Sequence, residues 1–321
     1  MDLWLSAFWF WLTLSGLLSG TMSQLRAGFY DLTCPRVESI VRTTMTPNLM
    51  ADPTAAAALV RAAFHDCQVG GCDASILLTS AGAITSEQES DKNFGIRGLN
   101  VIDRVKTAVE FWCPGVVSCA DIVVLAARDA ITMGGGPTID VLLGRRDSRF
   151  ASNAQADSSL PPATITVPAM LDMFKAKGIT PEEGVALIGA HTIGVSHCVS
   201  FVNRLYPSRD SAMGLVYAGR LGLSCPTGNP VLINNLTVVA NDNTNLIFDN
   251  QYFRDVSSGM GLLTIDAELG VHPATSGIVA LYAQNQKAFF DAFTAGFLKL
   301  TSHTVLTGDS GEIRRSCGSL N

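Results

Sequence analysis

The chain of 321 residues is long enough for one large domain, or two lobes, around a sizeable buried core. Its 22 Lys and Arg against 28 Asp and Glu leave a formal charge of −6 with no basic run, which excludes general nucleic-acid binding. With 47% apolar residues the chain is not disordered, and eight Cys in this length are too few for a small disulfide-built scaffold.

The first element is an apolar stretch over residues 4–18, shorter than the roughly 20 residues a membrane-spanning helix needs. Thr21-Met22-Ser23 follows, with small residues three and one before Gln24, so residues 1–23 read as a secretory signal peptide and 24–321 as the mature chain. A buried or anchoring apolar helix is the alternative. Asp52-Pro53 supplies a helix cap and a proline at the first helical position for an Ala-rich helix over 54–66. Val101, Val105, Ala108, Val109 and Trp112 recur at helical spacing over 100–112. Ser118 and Asp121 open a third helix, which Gly134-Gly135-Gly136-Pro137 stops. Strands are expected only at 139–143 and 262–265. The polar, then Pro-rich stretch 148–168 reads as a linker between two lobes. Helices follow over 167–177, from Thr180-Pro181-Glu182-Glu183 onward, and over 281–300. The expected class is mainly α.

A secreted chain meets an oxidising environment, so the eight Cys are expected to form four disulfides, among 105 possible pairings. A zinc site is the weaker alternative, because no CxxC pair occurs. Asn235-Leu236-Thr237 is a candidate glycosylation sequon.

Two of the five histidines stand out. Arg61 and His65 are four residues apart, on one helical face near the end of a Pro-initiated helix. A cation beside a neutral imidazole suits a reaction that moves a proton and stabilises developing negative charge. His191, in Gly189-Ala190-His191-Thr192, ends a second Pro-initiated helix, and the small residues before it would let a flat group approach the backbone. Two such helices could clamp a planar cofactor. The blander reading is a surface or core histidine, and it is kept for His197, His272 and His303. After His65, the oxygens of Asp66, Asp73 and Ser75 and the carbonyls near Gly70-Gly71 suit a hard cation such as Ca²⁺. A polar turn closed by Cys67 and Cys72 is the alternative.

Taken together, Arg61-x-x-Phe64-His65-Asp66-Cys67, Gly71-Cys72-Asp73-Ala74-Ser75, Val117-Ser118-Cys119-Ala120-Asp121, Gly144-Arg145-Arg146-Asp147-Ser148 and Gly189-Ala190-His191-Thr192-Ile193-Gly194 resemble the secretory plant haem peroxidases, class III. The resemblance runs from Gln24-Leu25 to Cys317. It implies a two-lobed, mainly helical fold with minor short strands and haem b between the lobes. The distal lobe would span about 24–160 plus the C-terminal segment, and the proximal lobe about 165–290. It implies the pairs Cys34–Cys113, Cys67–Cys72, Cys119–Cys317 and Cys198–Cys225. His191 is the implied iron ligand, with Asp266 as its carboxylate partner. His65 is the implied acid–base, with Arg61 and Phe64 beside it. Asn93 would hold the His65 tautomer, with support from Glu87. Pro161 matches the position where aromatic donors dock at the haem edge, while Ser200 and the lack of a Trp after Gly136-Pro137 depart from common relatives.

Two Ca²⁺ sites are implied as well. One uses Asp66, Val69, Gly71, Asp73 and Ser75, with Glu87 through water. The other uses Thr192, Thr244, Ile247 and Asp249, with Asp242 in place of the usual carboxylate, since Asn241 holds that position. Asp121 and Arg145 match a structural ion pair. The implied activity is one-electron oxidation of small phenolic donors by hydrogen peroxide, by a monomer secreted to the extracellular space or cell wall. It would have no membrane attachment once its signal is cleaved. A non-catalytic secreted wall-binding protein on the same scaffold is the alternative, and a zinc hydrolase is a distant third.

Overall fold

The computed structural model describes residues 25–229 and 236–321, so the signal segment 1–23 and the sequon residue Asn235 lie outside the described residues. Twelve α-helices and one two-stranded sheet occur among the described residues. Helices α1 (Val37–Ala51), α2 (Ala55–Val69), α3 (Leu99–Trp112) and α4 (Cys119–Met133) pack on one another in the first half. Helix α4 is buried on nearly every side, which explains its almost unbroken apolar sequence. Ser118 caps it, its Oγ accepting from the Asp121 N–H at 3.1 Å. Before α2 the Asp52 carboxylate accepts from the Thr54 N–H at 3.0 Å, but the cap position is Thr54 rather than the expected Asp52, and the helix starts at Ala55.

Helices α6 (Val167–Lys175), α7 (Pro181–Ile188), α9 (Gln251–Ser257), α10 (Thr264–Val271), α11 (Ser276–Gln284) and α12 (Gln286–Ser302) form the second half, with α8 (Leu215–Ser224) to one side. Thr180 and Glu183 cap each other's backbone at the start of α7. Its continuation is a 3₁₀ turn, Gly189–Thr192, that carries His191. Gly189 does not leave room for a flat group. A Cβ there would lie 2.6 Å from Phe253 and 2.8 Å from Phe289, so the glycine admits two rings of the aromatic core. That core includes Phe248, Phe253, Phe289 and Phe293, with Phe248 and Phe289 stacked at 5.7 Å. The long α12 packs on α7 and also touches α2, so one apolar core runs through both halves.

Several expectations need correction. Residues 262–265 are not a strand. Leu263 is extended, and α10 begins at Thr264 because the Asp266 carboxylate accepts from the Leu263 N–H at 2.8 Å. Within 139–143 only Leu143 pairs, in a single bridge to Arg26. The sheet is instead β1 (Val195–His197) antiparallel to β2 (Val238–Ala240). The apolar run 281–300 is two helices, broken at Asn285, whose side chain accepts from the Ala288 N–H and caps α12. The stretch 148–168 is not a bare linker. It contains α5 (Asn153–Ser159), whose Ala156 is buried against Val69 and Leu160.

The eight Cys form Cys34–Cys113, Cys67–Cys72, Cys119–Cys317 and Cys198–Cys225, the set the resemblance implies, and none is free. Among the described residues no helix is long and apolar enough to cross a membrane.

Candidate active site

Helix α2 aims Arg61 and His65 from one face into a common space. Arg61 Nε donates to His65 Nε2 at 3.2 Å. On the other side of the ring, His65 Nδ1 lies 2.5 Å from Asn93 Oδ1. The Asn93 amide N–H donates to the Glu87 carbonyl at 2.7 Å, so its oxygen must face the imidazole. That assigns the proton to Nδ1 and makes Nε2, whose lone pair here accepts from Arg61, the basic nitrogen. Burial, then the Arg61 charge, push the His65 pKa down to about 3, against a smaller upward pull from Asn93. The ring is therefore a neutral base across physiological pH. Arg61 is held in place by the Lys92 and Phe94 carbonyls, and the Phe64 ring stands edge-on to His65 at 5.9 Å.

The contact from Glu87 comes from its main chain. Its carboxyl, buried and pushed up to about 7 by burial with a further push from Asp73, faces the calcium-type cluster instead. In that cluster Asp66 accepts from the Ala74 N–H at 2.9 Å and Asp73 from the Ser75 N–H at 3.1 Å. Burial, then Asp73 and Glu87, raise the Asp66 carboxyl. Ser75 Oγ and Glu87 Oε2 are buried without a hydrogen-bond partner. Three crowded carboxyls and two orphaned oxygens fit a hard cation. Gly71, at φ +106°, lies where a Cβ would strike the Thr304 carbonyl, so no other residue fits there. The Val69 carbonyl accepts from the Gln155 amide at 3.2 Å. No group of three or more His, Cys, Asp or Glu side chains converges with metal-binding geometry among the described residues, so such a site needs these carbonyl and hydroxyl oxygens.

In the second half, His191 Nδ1 lies 2.9 Å from Asp266 Oδ1. Asp266 is 1% exposed and the His191 side chain 32%. Burial alone would raise the Asp266 carboxyl, but His191 and the hydrogen bonds from His191, Leu263 and Tyr252 together hold it below its ordinary value. With Nδ1 engaged, Nε2 is the open donor, the arrangement a histidine needs to ligate a metal. The two halves meet alongside: a Cβ on Gly194 would lie 2.8 Å from Ala57 of α2, and one on Gly95 would lie 3.1 Å from His197. An imidazole with a carboxylate behind it and a separate base–guanidinium pair are donor sets whose chemistry fits a haem cofactor.

Next to His191, Thr192 Oγ1 donates to Asp242 Oδ2 at 2.7 Å, and Thr244 Oγ1 to Asp249 Oδ1 at 3.1 Å. Asn241 turns away and accepts from Ser196 at 2.7 Å. Burial, with a further push from Asp249, raises Asp242 to about 6. Ile247 is half exposed at the edge of this loop. Pro161 follows Leu160, whose carbonyl accepts at 2.5 Å from the ammonium of Lys92, the residue before Asn93 in the chain. Asp121 and Arg145 pair at 2.8 Å, both fully buried.

Two residues at the site escaped sequence reading. His197 packs edge-on to Phe94 at 5.1 Å, carried there by the β1–β2 pairing, which no local pattern signalled. Tyr252, at the start of α9, donates to Asp266 at 2.8 Å.

Residues 39–285 match the family model described as Peroxidase. The chain is 45% identical over 298 residues to Peroxidase 29 of Arabidopsis thaliana, covering 91% of this chain and 88% of that one. It is 42% identical to Peroxidase 4 of Vitis vinifera, with 95% of each covered. The chain belongs to the class III plant peroxidases. It is therefore an oxidoreductase that uses hydrogen peroxide, and its family implies a haem cofactor. Peroxidase 1 of Zea mays is 40% identical over 93% of this chain. The peroxidase matches extend over the distal and proximal clusters alike, so both belong to the part of the chain that its relatives share.

Proposed function

We propose that this peroxidase is a secreted enzyme, stabilised by two Ca²⁺, that oxidises small phenolic donors one electron at a time. The observation that carries the reading is the neutral His65, oriented by Asn93 and flanked by Arg61. When bound, haem b supplies an iron centre that exchanges two electrons with peroxide. His65 Nε2 takes a proton from one oxygen of hydrogen peroxide and returns it to the other, which departs as water. Arg61 stabilises the charge that grows on the departing oxygen. Phe64 stands edge-on beside His65. His191 would hold the iron through Nε2, with Asp266 keeping Nδ1–H engaged so that Nε2 would donate strongly. Two donors, docked near Pro161, each give back one electron.

Asp66, Val69, Gly71, Asp73, Ser75 and, through water, Glu87 would hold one Ca²⁺. Thr192, Asp242, Thr244, Ile247 and Asp249 would hold the second. In this reading about 24–160 and the C-terminal segment make the distal lobe and about 165–290 the proximal one. The apolar segment 4–18 supports secretion, since it is short of a membrane span. The test is the absorption spectrum of the haem-loaded protein. A Soret band that shifts with one equivalent of H₂O₂ and returns stepwise with a phenol is expected. A band that does not respond to peroxide would sink the assignment of His65 and Arg61, and return with non-phenolic donors alone would overturn the phenolic one.

A further inference from the structure

Asp266 serves three donors at once, two of them on one oxygen. Its Oδ1 lies 2.9 Å from His191 Nδ1 and accepts from Tyr252 Oη at 2.8 Å, while its Oδ2 accepts from the Leu263 N–H at 2.8 Å. Tyr252 is 1% exposed, its ring stands nearly perpendicular to the His191 ring at 6.1 Å, and its hydroxyl has no other partner among the described residues. Phe253 holds the ring edge-on at 5.0 Å, so the phenol has little freedom to turn away.

Hydrogen bonds in a dry network polarise one another. An oxygen that accepts from a phenol has less negative charge left for a second donor. The carboxylate behind a ligating histidine sets how much electron density the imidazole gives the metal. These two facts meet at one atom, Asp266 Oδ1.

We propose that Tyr252 is a positioning residue that acts through Asp266: by sharing Oδ1 with His191, it limits how strongly the carboxylate draws the imidazole proton and so tempers electron donation to the haem iron. The inference rests on the reading of His191 as the iron ligand. The phenol acts as a counterweight to the push that Asp266 supplies, and it does so without touching the reacting atoms.

The sign of the effect is fixed by the geometry. Without the hydroxyl, Oδ1 serves His191 alone. The imidazole gains anionic character, the ferric state is favoured and the ferric/ferrous potential falls. The experiment uses the haem-loaded protein, with the midpoint potential and the ferrous iron–histidine stretching frequency as readouts. Tyr252→Phe should shift the reduction equilibrium toward ferric by about tenfold, which is about 59 mV for a one-electron couple, and should raise the stretching frequency. In an Asp266→Asn background the same change should do nothing further. Replacing Tyr252 with 3-fluorotyrosine keeps the packing and strengthens the donor, so the potential should rise.

A Tyr252→Phe protein with potential and frequency unchanged would overturn the inference, as would an equal shift in the Asp266→Asn background. Should Tyr252→Phe fail to fold, the fluorotyrosine protein decides alone, and an unmoved potential there overturns it. A wild-type protein with no iron–histidine band would instead overturn the ligand assignment on which the inference stands.

Discussion

Replacing Asn93 with valine removes the acceptor on His65 Nδ1 and nearly preserves side-chain size. The bond is 2.5 Å long and buried on both sides, and the same amide is tied at 2.7 Å to the Glu87 carbonyl. In the ground state the loss leaves one buried N–H without a partner. When His65 takes a proton from peroxide, the ring becomes cationic, and a hydrogen bond from a charged donor contributes about 1.5–3 kcal/mol. At about 1.4 kcal/mol per factor of ten, the reaction with peroxide should slow by about 10- to 100-fold. The sign agrees with electrostatics: Asn93 pulls the His65 pKa upward, so its removal makes an already depressed base weaker still. The assay is the second-order rate constant for the spectral change on mixing with H₂O₂, at matched haem occupancy. Asn93→Asp is the complementary variant. It keeps an acceptor and adds a charge, so the acid limb of the pH profile should move upward, while the wild-type rate stays flat from about pH 8 to about pH 5 because His65 remains neutral there. A valine variant that reacts with peroxide within about threefold of wild type, less than half a power of ten in rate, would refute the reasoning.

Chelation of Ca²⁺ should lower the melting temperature, since it leaves Asp66, Asp73 and Glu87 crowded with only Arg314 as a nearby counter-charge. An unmoved transition in calorimetry would count against both ion sites. Asp121→Ala strands the buried Arg145 guanidinium and frees the Tyr30 hydroxyl, and should cost about 3–5 kcal/mol in denaturant unfolding. A loss below about 1 kcal/mol, the range of exposed pairs, would show that the pair is not a structural tie. Opening Cys119–Cys317, which spans 198 residues, should destabilise by about 5 kcal/mol on chain-entropy grounds, against about 2 kcal/mol for Cys67–Cys72, which spans 5. The reverse order in paired Cys→Ser variants would contradict that account. His191→Ala should lose haem on gel filtration, and full retention with an unaltered spectrum would remove His191 as ligand.

Much of this molecule was legible before its structure. Capping residues fix helix starts through local hydrogen bonds, so Ser118 and Thr180 mark their helices correctly, whereas the helix after Asp52-Pro53 begins at Ala55 with Thr54 at its cap position. Arg61 and His65 could be paired because four residues bring two side chains to one helical face. What failed was non-local. The strand β1 exists only because residues 238–240 return to pair with it, and nothing in Val195-Ser196-His197 announces that partner. Residues 262–265 look like a strand because Leu262, Leu263 and Ile265 are apolar, yet the Asp266 carboxylate captures the Leu263 N–H and starts a helix. Asn285 sat inside an apolar periodic run, and its capping role was outvoted by the pattern around it. Gly189 was read from its own smallness, whereas the space it leaves is filled by rings from α9 and α12. Glu87 was rightly placed near Asn93, but spacing does not distinguish a carbonyl from a carboxylate.

Trp112, the one tryptophan among the described residues, lies at the end of α3 beside Cys113, with the Arg36 guanidinium 5.3 Å over its ring. It is 59% exposed, on a corner stapled by Cys34–Cys113. The protein thus carries a built-in optical label at a place remote in sequence from the His65 and His191 segments. In a melt of the chain without residues 1–23, followed by tryptophan emission, the signal belongs to that corner, while visible absorption belongs to the cofactor. Coincident curves would establish that the corner and the cleft come apart as one cooperative unit. A gap between them would measure how far the cleft opens while the stapled corner is still folded.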